Sequence, residues 1–137
     1  MMPRVAIVVL NWNGWVDTLA CVASLQSLDY ANFHIVLVDN GSTDGSEEQF
    51  RHVLPKLELL QTGTNLGFGG GCNVGMRHAL AGGAEYIWLI NSDATVDPGA
   101  LSALVRVAEQ NPRWPRSVRC CLMPMQRRRF SCGVVAM

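Results

Sequence analysis

Four short apolar runs, each broken off by a polar or turn-forming stretch, constrain this chain more than any other feature. They are VAIVVL at 5–10, FHIVLV at 33–38, LELLQ at 57–61 and YIWLI at 86–90. Near-continuous apolar composition is the pattern of strands buried on both faces, not the alternation of a sheet with one wet face. Between the runs lie segments with helical spacing. Val16, Leu19, Ala20, Ala23, Leu25 and Leu28 predict a helix over about 16–28, with Asp17 in its first turn favoured by the helix dipole. A second helix is predicted from Ser46 to about Leu54, with acids in its first turn and Pro55 as its stop. The glycine-rich stretch 63–71 reads as a loop, with a helix following from about Cys72 to Ala81. Asp97 reads as the cap of a further helix, with Pro98 in its first position. Alternating strands and helices predict an α/β fold, a mainly parallel sheet covered by helices on both faces.

A sheet of this kind gathers its functional groups beyond the carboxyl ends of its strands. Asp39 closes the second run, where a carboxylate can accept hydrogen bonds from a ribose or a base edge. Taken alone, the turn-former-rich stretch DNGSTDGS that it opens favours a capping or Asx-turn role for it instead. Asn65 to Gly75 (NLGFGGGCNVG) is a loop entering a helix, where a close backbone and unpaired N–H groups can receive phosphate oxygens. It has neither the GxGxxG nor the Walker A register. Asp93 follows the fourth run, and a hard divalent cation needs only one or two carboxylates when a diphosphate supplies further oxygens. Together these predict a site for a metal-bound nucleoside diphosphate.

Other residues read more plainly. His34 and His52 suit packing or surface positions, and Trp88 points into the core. Trp12 and Trp15 either stack on a base or cover the end of the sheet. Cys72 opens the predicted helix but has no visible base partner for nucleophilic chemistry. The five cysteines have no CxxC spacing, so neither a zinc site nor a disulfide framework is expected. No stretch approaches the roughly 20 apolar residues of a membrane helix. The expected location is cytoplasmic, compatible with peripheral attachment at the inner face of a membrane.

The zero formal charge conceals an asymmetry: every acidic residue lies at or before Glu109, while Arg113, Arg116, Arg119, Arg127, Arg128 and Arg129 crowd the end with three of the cysteines. Residues 112–137 lack helical or strand period and are expected to be a non-native or frameshifted tail. Without interleaved aromatics the run 126–129 is not read as a nucleic-acid site.

In order and spacing, VAIVVLNWNG, IVLVDNGSTDGS, NLGFGGGCNVGMRHAL and WLINSDATVDPGAL resemble the N-terminal part of a family 2 glycosyltransferase with the GT-A fold, in its rhamnosyltransferase-like branch. The resemblance covers residues 4–111. It implies a Rossmann-like nucleotide-binding half-domain, truncated before its C-terminal half, and inverting transfer from a UDP- or dTDP-sugar, dTDP-rhamnose among them, to a glycan or lipid-linked acceptor. It implies that Leu10, Asn11 and Trp12 line the nucleoside, that Asp39 binds the base with Asn40 and Ser42 beside it, and that Asn65, Gly67 and Gly71 shape the donor pocket near Asn73 and Arg77. It also implies that Asp93 holds Mg²⁺ or Mn²⁺ from the motif Asn91-Ser92-Asp93, where many relatives have Asp-x-Asp. The general base would come from the missing half, so the chain alone is expected to transfer no sugar. Two other classes remain open: a non-catalytic nucleotide-binding or interaction module, and a nucleotidyltransferase. The Asn-Trp-Asn-Gly loop lacks the basic residues expected of the latter.

Overall fold

The computed structural model describes residues 2–111. The expected Arg- and Cys-rich tail therefore lies outside the described residues. The elements are β1 (Val5–Asn11), α1 (Trp15–Gln26), β2 (Phe33–Asp39), α2 (Ser46–Val53), β3 (Glu58–Gln61), α3 (Gly67–Ala81), β4 (Tyr86–Asn91) and α4 (Ala100–Gln110). The strands form one parallel sheet in the order β3-β2-β1-β4.

β1, the most continuously apolar run, takes the inner position and pairs with both β2 and β4. Its side chains alternate between two cores. Val5, Ile7 and Val9 pack with Cys21, Val22 and Leu25 of α1, Phe50 of α2 and Leu101, Val105 and Ala108 of α4. Ala6 and Val8 face the other way, onto Cys72, Met76 and Ala79 of α3. Trp88 fills the first core, fully buried. The chain adds β2 and β3 on one side of β1 and then returns to place β4 on the other. Right-handed crossovers require the connection that reverses direction to run over the opposite face, which is where α3 lies.

Two boundaries differ from the sequence expectation. α3 begins at Gly67, so Gly67 to Gly71 form its first turns and not a loop before it. Glycine costs about 1 kcal/mol per helical position relative to alanine, yet packing overrides that cost here. A Cβ on Gly71 would lie 2.5 Å from Leu10 Cδ1, and one on Gly75 would lie 2.5 Å from Val8 Cγ1 and 2.9 Å from Val38 Cγ2. The helix backbone therefore rests almost directly on β1 and β2. The other difference is α4, which starts at Ala100 with Gly99 as its cap and no side-chain cap bond. Asp97 and Pro98 belong to the preceding turn: the Asp97 carbonyl accepts from Ala100 N at 3.0 Å, and the Pro98 carbonyl accepts from Asp29 N at 2.9 Å.

Gly75→Val is expected to lower stability by about 3 kcal/mol through overpacking, seen as a lower urea midpoint. Gly69→Ala, where an added Cβ meets nothing within 4 Å, is expected to leave that midpoint unchanged or raise it.

Candidate functional site

The carboxyl ends of β1, β2 and β3 form a row of polar side chains in register: Asn11 pairs with Asp39, and Asp39 with Gln61. On the other side of β1, Leu10 is the register partner of Asn91 in β4.

Asp39 is fully buried, and an ionised carboxylate out of contact with water needs donors around it. Its Oδ1 accepts from Asn11 Nδ2 at 2.9 Å and from Ser42 Oγ at 2.5 Å. Its Oδ2 accepts from Gln61 Nε2 at 2.7 Å. Asn11, also fully buried, is oriented from its other end, where Oδ1 accepts from Thr18 Oγ1 of α1 at 2.8 Å. Ser42 Oγ accepts from Asn13 N at 2.9 Å, tying the loop after β1 to the loop after β2.

Asn40 performs the next task. Its Nδ2 donates to Asn65 Oδ1 and to the Gly67 carbonyl, each at 3.1 Å, and its Oδ1 accepts from Leu66 N at 3.1 Å. Asn65 Oδ1 in turn accepts from Gly67 N at 2.8 Å. The start of α3 is thereby fixed to the end of β2. Helix geometry leaves the following first-turn N–H groups, those of Phe68 and Gly69, without acceptors inside the helix. Three large apolar side chains stand exposed at this edge: Trp12 (55%), Leu66 (46%) and Phe68 (61%).

β4 ends at Asn91, and Asp93 sits exposed in the turn that follows, where Ala94 N donates to the Asn91 carbonyl at 3.1 Å. Among the described residues the Asp93 carboxylate has no hydrogen-bond partner, and no group of three or more His, Cys, Asp or Glu side chains is placed to hold a metal. The ends of β2 and β4 lie two strand spacings apart, about 10 Å, with β1 between them. Burial, with the Asp93 charge added, pushes the Cys21 thiol up from 9.0 to about 11; Cys21 Sγ lies 3.6 Å from the Asn91 carbonyl.

The residues singled out from sequence are thus distributed unevenly. Asn11, Asp39, Asn40, Ser42, Asn65 and Gly67 form one hydrogen-bonded edge, with Trp12 exposed beside it. Leu10 and Gly71 pack against each other beneath it. Asn73 is half-buried on α3, and its Oδ1 is shielded from solvent without a donor among the described residues. Arg77 is exposed ten residues beyond Gly67, about 15 Å along the helix axis, and is not brought to the edge. Thr18 and Gln61 were not singled out. Thr18 could have been found as a polar residue on the buried side of an apolar helix, and Gln61 as the residue that ends its strand level with Asp39.

Solved structures share the fold. The fold is shared with S. aureus TarS 1-349 in complex with UDP-GlcNAc, with a TM-score of 0.66 and 24% identity over 79% of this chain and 32% of that one. It is shared as well with the mannosyltransferase PcManGT from Pyrobaculum calidifontis in complex with GDP-Man and Mn²⁺, with a TM-score of 0.68 and 24% identity over 77% and 32% of the two chains. This is the GT-A fold of glycosyltransferases. The model for Glycosyl transferase family 2 matches residues 6–130, and the chain belongs to that family. The matched span runs past residue 111. An N-acetylglucosaminyl-diphospho-decaprenol L-rhamnosyltransferase of Mycobacterium tuberculosis is 35% identical over 104 residues, 70% of this chain and 33% of the relative. Galactofuranosyltransferase GlfT1 of Mycolicibacterium smegmatis is 37% identical over 86 residues, 62% of this chain and 28% of the relative. The chain spans about a third of the length of the curated relatives it matches. No helix among the described residues is long and apolar enough to cross a membrane.

Two outcomes are expected from this geometry. Thr18→Val removes the donor to a buried carbonyl and is expected to cost about 1–3 kcal/mol of stability, measured by urea unfolding. The Cys21 thiol is protonated in folded and unfolded chains alike below pH 9.0, and above it the unfolded chain ionises first. Stability is therefore expected to fall as pH rises from 9.0 toward about 11, with a shallower fall in Cys21→Ala.

Proposed function

We propose that the carboxyl edge of this sheet binds the nucleoside diphosphate of a sugar donor, as the donor-binding part of an inverting glycosyltransferase. The observation that carries the reading is the hydrogen-bonded convergence of Asn11, Asp39, Asn40, Ser42 and Asn65 on one edge, in a chain that belongs to glycosyl transferase family 2. Asp39 lies at the base end of the site, its carboxylate held by Asn11, Ser42 and Gln61. Trp12 stacks on the nucleoside, using an exposed ring at the end of β1. The first-turn amides of α3 face the diphosphate, held in place by Asn40 and Asn65.

Asp93 is the residue that would hold Mg²⁺ or Mn²⁺. An exposed carboxylate with no hydrogen-bond partner among the described residues is a suitable oxygen ligand, and such cations keep waters and take further oxygens from a substrate diphosphate. When bound, the cation offsets charge on the departing nucleoside diphosphate. In the transfer an acceptor hydroxyl forms the new bond to the anomeric carbon as the bond to the diphosphate breaks, and a general base takes the hydroxyl proton. We place that base outside the described residues, so the described part binds donor without turning it over. We take the donor to be a UDP- or dTDP-sugar, and the name of the N-acetylglucosaminyl-diphospho-decaprenol L-rhamnosyltransferase relative supports a lipid-linked sugar acceptor.

Calorimetric titration of the 137-residue chain with UDP and dTDP, with and without Mn²⁺, tests the reading. Binding that Mn²⁺ strengthens is expected, with the strengthening lost in Asp93→Asn and affinity lowered about tenfold or more in Asp39→Ala. A folded chain that binds neither nucleotide overturns it.

A further inference from the structure

The segment that carries Asp93 is tied to α1 and to the loop after it at three points, through Cys21, Ser24 and Asp29. The thiol of Cys21, a fully buried residue of α1, donates to the Asn91 carbonyl at 3.6 Å. Ser24, one turn further on, accepts from Val96 N at 3.2 Å. Asp29 N donates to the Pro98 carbonyl at 2.9 Å, and Asp29 Oδ1 accepts from the Ser102 hydroxyl of α4 at 2.6 Å. Between Asn91 and Val96, Ala94 N donates to the Asn91 carbonyl at 3.1 Å and closes the turn around Ser92 and Asp93. Ala94 and Val96 pack against the first core, while Asp93 stands exposed.

Ser24 is bound on both sides. A hydroxyl carries one proton, and that of Ser24 is given to the Cys21 carbonyl at 2.7 Å. Toward Val96 it can therefore only accept, which matches the N–H presented there. Without the hydroxyl, the far side of the Asp93 turn is left to the apolar contacts of Ala94 and Val96, and such contacts are non-directional.

Direction matters at this turn because Asp93 has no companions: among the described residues no group of three or more His, Cys, Asp or Glu side chains is placed to hold a metal. A carboxylate that shares a cation with a diphosphate must stand where both reach it, and affinity gained in that way depends on a position set beforehand. The same helix also sets the other end of the site. Thr18 Oγ1 donates to Asn11 Oδ1 at 2.8 Å, and Asn11 holds Asp39. Thr18 and Ser24 are separated by about 9 Å of helix, so one rigid element spaces the Asp39 end from the Asp93 turn.

We propose that Ser24 is a positioning residue for the divalent cation: its bond to Val96 fixes the turn that carries Asp93, so that this carboxylate and a donor diphosphate share one ion. The inference rests on the donor-site reading above and adds to it a residue that touches neither donor nor cation.

The test is calorimetric titration of the full chain with UDP, with and without Mn²⁺, in wild type, Ser24→Ala, Ser24→Thr, Asp93→Asn and Ser24→Ala combined with Asp93→Asn. The quantity read is the gain in UDP affinity that Mn²⁺ brings. Ser24→Ala is expected to reduce that gain about tenfold, or abolish a smaller one, with affinity for UDP alone within about twofold of wild type. Ser24→Thr keeps a hydroxyl able to bond the carbonyl one turn back and is expected to restore the gain. In the Asp93→Asn background, Ser24→Ala is expected to change nothing further, because both residues act on one ion. A full gain in Ser24→Ala overturns the inference, as does a gain no better in Ser24→Thr than in Ser24→Ala. So does an equal loss with and without Mn²⁺, since a merely structural role predicts that result, and so does an additive loss in the double variant. If Ser24→Ala does not fold by circular dichroism, Ser24→Cys replaces it: sulfur accepts weakly, so a reduced gain upholds the inference and a full gain overturns it. A wild-type gain that needs Asp93 but not Ser24 overturns this inference alone. A folded wild-type chain that binds UDP without any gain from Mn²⁺ overturns the cation assignment along with it, and one that binds no UDP overturns the whole donor-site reading.

Discussion

The buried carboxylate of Asp39 is the interaction on which the arrangement of this edge depends. A charge removed from water must be met by donors, and Asp39 recruits them from the end of β1, from the loop after β2 and from the end of β3. Meeting that demand brings the three strand ends to one level and draws the loops after β1 and β2 together through Ser42 and Asn13. Thr18 extends the same demand into α1. The carboxylate serves as a fastener for the scaffold, which explains why it has no solvent exposure.

The second constraint is the depth at which α3 sits. Its glycines carry it down onto β1 and β2, and Asn40 then secures its first turn from the sheet side. The helix start is held by Asn40, just past β2, and by Asn65 of the preceding loop, with no side-chain cap bond from Leu66. The amides proposed to face a diphosphate would gain from such an arrangement because their position is settled before a ligand arrives.

Much of this was legible in the amino-acid sequence, and the gaps have physical causes. Continuous apolar runs announce buried parallel strands because no solvent-facing side has to be supplied, so VAIVVL and FHIVLV appear where expected. The start of α3 is hidden because intrinsic propensity argues against a helix through FGGG, and only contacts with Leu10, Asn40 and Val8 reverse that preference. Asp97 followed by Pro98 looks like a helix entry until the Pro98 carbonyl is seen bonded to Asp29, distant in sequence. The resemblance places Arg77 near the donor pocket, but helical rise sets it about 15 Å along α3 from Gly67. Gln61 is invisible as a site residue for the opposite reason: its importance comes from strand register, which sequence distance does not convey.

The glycines beneath α3 have a consequence for how such chains can diverge. Gly71 leaves no room beyond Leu10, and Gly75 none beyond Val8 and Val38, so the volumes at positions 71 and 10, and at 75, 8 and 38, are coupled. A homologous chain that enlarges one member of either set has to shrink another. The depth of the helix should therefore leave its trace as correlated substitution between the first strand and the third helix, detectable by comparing sequences alone.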